Sequence, residues 1–109
     1  MTAVITVNEG EYGVACVFYT AYDMSTFTTL QIQFTKPVSG DILLVDATCP
    51  NVDVDTALGT FLANEYAQYF FVDGDLDELG TWYARVIYTK TGSPDLKLIS
   101  NSSSFTVTA

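Results

Sequence analysis

DGDLDELGTWYA, Asp73 to Ala84, compresses a turn, a capped helical stub, a glycine stop and the start of an aromatic strand into one segment. Asp75 is placed to cap the backbone N–H groups of the turn that follows it, and Glu78 stands three residues on, the spacing of a capping box. Leu76 and Leu79 are the apolar anchors of that turn, so both are expected to point into a core. Gly80 suits the left-handed backbone that ends a single helical turn. Trp82 then opens a strand. The segment specifies an architecture and carries no catalytic chemistry.

Outward from this corner, β-branched and aromatic residues recur with period two between turn signals. Strands are expected over residues 3–7, 12–19, 28–35, 42–47, 59–63, 66–72, 81–90 and 96–107, the last interrupted around residues 101–104. In the third, Leu30, Ile32 and Phe34 share one face while Gln31 and Gln33 share the other. Pro37 marks the 36–40 segment as a connection, because it cannot donate to a ladder. Residues 50–56 read as a loop with at most a short edge pairing. No apolar run has a useful helical period and no repeat or linker appears, so residues 1–109 are expected to form a single domain. An aromatic two residues past a glycine is the pattern found where strand E crosses to strand F in immunoglobulin-like sandwiches. The expected fold is an all-β, immunoglobulin-like sandwich of about seven to nine antiparallel strands. Ala84 stands where an antibody-type domain has its second cysteine, so the usual inter-sheet disulfide is absent.

A chain of 109 residues with 49% hydrophobic and 16% charged residues has enough apolar material for one self-standing core. Its net charge of −9 rests on only four basic residues, too few for a cationic stripe, so nucleic acid is not an expected partner. No apolar run reaches the length of a membrane span. The Met1-Thr2-Ala3 start has neither a basic region nor an apolar core behind it, so cytoplasmic synthesis is expected. In that compartment Cys16 and Cys49 are expected as two thiols rather than as a bridge.

With no histidine, the commonest general base and metal ligand is missing, and no lysine lies in a recognisable catalytic motif. No enzyme activity and no cofactor are expected. Asp73, Asp75, Asp77 and Glu78 have the alternate carboxylates of a calcium loop, but the sixth and twelfth loop positions are Glu78 and Ala84 rather than glycine and glutamate. They read as capping and solvated groups, with no metal site. The aromatics, 14% of the chain, are the surplus to explain. Runs such as Tyr66 to Phe71 and Trp82-Tyr83 put rings on both faces of a strand, and a sandwich strand buries only one. Tyr19, Tyr66, Tyr69, Phe71 and Tyr83 are therefore the candidate interface residues. Rings beside carboxylates also suit a carbohydrate-binding module, although no spaced motif for one is present.

The order of three segments, Thr28 to Phe34, Lys36-Pro37-Val38-Ser39-Gly40 and Gly74 to Trp82, resembles the small immunoglobulin-like structural proteins of tailed bacteriophages. It is similar to the N-terminal domain of phage baseplate upper proteins, where a K-P-x-G hairpin precedes a G-D-L-x-x-x-G-T-W corner. The second motif is matched by Gly74 to Trp82; the first carries one extra residue before Gly40. Baseplate upper proteins continue past this domain, whereas the present sequence has its last residue at Ala109, and its 47–64 connection looks particular to this chain. The resemblance implies a virion component in the tail or baseplate region, whose partners are other virion proteins or further copies in a ring or array. A capsid decoration protein is the alternative position in the particle.

Overall fold

A computed structural model describes residues 2–109. Its strands are β1 (Thr2–Val4), β2 (Val7–Asn8), β3 (Ala15–Tyr19), β4 (Thr29–Thr35), β5 (Ile42–Asp46), β6 (Val54–Thr56), β7 (Gly59–Phe61), β8 (Tyr66–Phe70), β9 (Gly80–Lys90), β10 (Leu96–Ile99) and β11 (Ser103–Thr108). A small sheet has the order β1-β3-β8, and a large one the order β2-β11-β9-β4-β5 with β10 also on β9. The pairings are antiparallel except for β2, which runs parallel to β11. This is the immunoglobulin arrangement: strands A, B and E form one sheet, and A′, G, F, C and C′ form the other. The first strand crosses from one sheet to the other between β1 and β2. The last strand splits at a bulge, because the register to β9 shifts by one residue between the Ile99–Ile87 and Ser103–Ala84 pairs.

The sheets meet through alternate side chains. Leu30, Ile32 and Phe34 of β4 and Trp82, Ala84, Val86 and Tyr88 of β9 are buried against Cys16 and Phe18 of β3 and Ala67 of β8. Phe34 is the hub. Its ring lies 5.5–6.4 Å from those of Phe18, Phe71, Tyr69, Phe105 and Trp82, and the indole stacks on Phe105 at 5.9 Å. Both cysteines are free, so no disulfide joins the sheets; packing does, helped by Thr48, which bridges Gln68 of β8 by two backbone bonds next to the Ala47 N–H that donates to the Leu30 carbonyl of β4. Burial pushes the Cys16 thiol up to about 12, leaving it a small core hydrophobe whose Sγ donates to the Tyr69 carbonyl.

The corner departs from its sequence reading. Residues 73–79 contain no helical turn. Val72 to Asp75 instead form a β-turn in which the Asp75 N–H donates to the Val72 carbonyl at 3.1 Å, with Gly74 at φ 93° as a type II turn requires. Asp75 caps this turn rather than a helix, accepting from the Val72 N–H at 2.9 Å. Leu76 is buried as expected, but Leu79 is exposed, because without a helical turn the two no longer share a face. Gly80 has the expected positive φ, yet at 124° it opens β9 instead of ending a helix. Residues 12–14 also fall outside β3, which begins at Ala15.

Candidate protein interface

The Lys36 to Gly40 turn and the Gly74 to Trp82 corner are one physical unit. The β4–β5 turn lies against the corner, where Glu78 Oε1 accepts from the Val38 and Ser39 N–H groups at 2.9 and 3.0 Å, and Glu78 Oε2 from the Ser39 hydroxyl at 2.6 Å. Lys36 Nζ bonds Asp77 at 2.8 Å and lies 5.7 Å from the centre of the Trp82 ring. Pro37 packs so closely on Gly80 that a Cβ there would meet its ring at 3.2 Å. Trp82 Nε1 donates to the Glu78 carbonyl, four residues upstream, as the tyrosine of an immunoglobulin corner does with its hydroxyl. Hydrogen bonds from Ser39 and Val38, with the charge of Lys36, hold the Glu78 carboxyl below the usual carboxylate range.

The acidic run is thereby divided. Asp75 turns inward to Tyr69, Asp77 to Lys36, and Glu78 to the β4–β5 turn. Among the described residues no group of three His, Cys, Asp or Glu side chains is placed to hold a metal ion.

The five candidate interface rings are divided too. Tyr69 and Phe71 point into the core. The Tyr69 hydroxyl donates to Asp75 at 2.6 Å, and burial together with that carboxylate raises its pKa. Phe71 sits among Phe34, Tyr69 and Phe105 and is 1% exposed, so it offers nothing to a partner; its neighbour Phe70 faces outward instead. Tyr19 and Tyr66, paired across β3 and β8, do lie on the outer face of the small sheet. The chain covers them itself. The β6–β7 hairpin folds back so that Phe61 stacks on Tyr19 at 4.8 Å and packs against Tyr66 at 6.3 Å, and the Tyr66 hydroxyl donates to the Val52 carbonyl. Tyr66 is consequently 2% exposed. The hairpin belongs to the 47–64 connection, which therefore forms a second, external apolar layer.

Tyr83 alone of the five is exposed, at 53%, and it stands on a larger surface that the ring-centred reading missed. On the outer face of the large sheet, Ile42 and Leu44 of β5 and Ile99 of β10 are exposed, with Ile87 of β9 half-buried between Gln31 and Ile99. The signal was present in ILLVD, residues 42–46, where Leu43 and Val45 face the core and leave two branched aliphatics outside. Charge is segregated as well: the large sheet's strands contain three of the four basic residues but one of the 13 acidic ones, Asp46. Beside the β10–β11 bulge lies a depression of about 190 Å³ lined by Gln33, Thr35, Tyr83, Ala84, Arg85 and Ser102, with Arg85 Nε donating to Gln33 at 2.9 Å. A sheet face that sets exposed aliphatics and a tyrosine among glutamines and threonines, with a single carboxylate, suits a protein contact. No family model, curated protein or solved structure matches the chain.

Proposed function

We propose that this chain is a non-enzymatic structural part of a tailed-phage virion, assembling in the tail or baseplate region through the outer face of its large sheet. The observation that carries the reading is that face: Ile42, Leu44, Tyr83 and Ile99 lie exposed on the part of the molecule from which carboxylates are almost excluded. The virion context comes from the resemblance, whose two motifs the fold clamps together through Glu78 and Lys36. Repetition of a modest contact around a symmetric particle would supply the avidity that one small domain lacks. A carbohydrate platform is less well served, because Tyr19 and Tyr66 are covered by the protein's own hairpin.

Immunogold microscopy with an antibody to the protein, on gradient-purified particles from cells expressing the whole phage, tests this. Label at the tail or baseplate supports the proposal. Label on the head would move the protein to capsid decoration, and a protein found only in the particle-free fraction would contradict a virion role.

A further inference from the structure

The register of the large sheet sets four side chains of its outer face at the corners of a rectangle. Leu44, Gln33 and Arg85 form one row across β5, β4 and β9, and Asp46, Gln31 and Ile87 form the next. The rectangle measures about 9.6 Å across two strand spacings and about 6.8 Å along the strands. Arg85 and Asp46 occupy one diagonal, Leu44 and Ile87 the other. Neither Arg85 nor Asp46 has an ion-pair partner among the described residues; the Arg85 side chain is steadied by Gln33.

We propose that this face binds a second copy of the chain about a two-fold axis that lies in the plane of the face and passes through the centre of the rectangle, perpendicular to the Arg85–Asp46 diagonal, an inference that rests on the assembly reading above. Such an axis exchanges Arg85 and Asp46. Arg85 of each copy meets Asp46 of the other, giving two reciprocal ion pairs. Leu44 and Ile87 lie within about 2 Å of the axis and meet their own counterparts, so apolar falls on apolar. The surface is thus self-complementary in charge and in hydropathy, the condition for an isologous contact. Its strands hold a single carboxylate against three basic residues, so two chains of net charge −9 meet there with little local repulsion. Four strands of seven residues span about 19 by 23 Å, or roughly 900 Å² over two copies, which places the dimer among weak, concentration-dependent contacts.

Sedimentation velocity over a concentration series, with Arg85→Asp, with Asp46→Arg and with an equimolar mixture of the two, decides the matter. Wild type is expected to dimerise reversibly. Each variant alone sets like charges against each other at both pairs and should weaken dimerisation at least about tenfold. In the mixture both pairs become complementary again, so a heterodimer should return to within about threefold of wild type. Unchanged melting temperatures would show that the variants are folded. The Arg85→Asp/Asp46→Arg double variant should dimerise like wild type and provides the test if one single variant fails to fold. Wild type that stays monomeric to about 1 mM, the concentration of a marginal contact, overturns the dimer while leaving docking on another virion protein intact. Dimerisation that the single variants do not weaken, or that the mixture does not restore, overturns the two-fold geometry.

Discussion

Glu78 joins the two halves of the corner, and its role is measurable by pH. Its folded-state pKa lies below the ordinary glutamate value, so its contribution to stability is complete above that value and is lost as pH falls through the lowered one. Glu78→Gln should therefore melt below wild type at pH 6, and the gap should close on acidification below about pH 4; a gap independent of pH would assign its role to packing. Gly80 carries a different constraint. Its φ of 124° and the 3.2 Å approach of Pro37 leave no room for a methyl group, so Gly80→Ala should cost about 1–3 kcal/mol in chemical denaturation. Tyr69→Phe removes the hydroxyl that meets the buried Asp75 carboxylate and should cost about 1–3 kcal/mol, read in the same way. Trp82→Ala, which empties the indole site at the core's edge and frees the Glu78 carbonyl, should cost about 3–5 kcal/mol.

At the scale of elements, the β6–β7 hairpin behaves as a cover. It makes only three ladder pairs of its own, and an isolated hairpin of that size is marginal in water. It is tied down by Phe61 on Tyr19 and Tyr66, by Asp53 accepting from the Ala63 N–H at 2.7 Å, and by Tyr66 bonded to Val52. Phe61→Ala should release it locally: limited proteolysis should cut within residues 52–62 about tenfold faster while β4 and β9 stay resistant. Uniform cleavage along the chain would mean that the hairpin is part of the cooperative core. Most strands were legible in the sequence because period-two alternation is local, as in Thr29 to Thr35. The cover was not, since a ring exposed by alternation can be buried by a segment distant along the chain. That is why Tyr66 looked like an interface residue and is covered. The corner misled for a related reason: the capping-box spacing of Asp75 and Glu78 was real, but Tyr69, outside the corner, and Ser39, far upstream in sequence, take those carboxylates instead of a helix.

For the whole molecule, the sheet order follows from which strands are two-faced. β3 and β8 are covered on one face by the large sheet and, at Tyr19 and Tyr66, on the other by the hairpin, while Phe70 stays exposed. The large sheet keeps an uncovered outer face, and the carboxylates lie mainly in the turns and in the hairpin. Of the five candidate rings the fold leaves Tyr83 exposed; the juxtaposition of Leu44, Arg85 and Asp46 emerges only once register aligns β5, β4 and β9. That uncovered outer face is the proposed assembling surface. Hydroxyl-radical footprinting of the protein, free and within purified particles, tests it most directly. Protection on assembly should fall on Ile42, Leu44 and Tyr83, with Phe70 and Tyr12 oxidised as in the free protein; protection of Phe70 and Tyr12 with Leu44 and Tyr83 still reactive would contradict it.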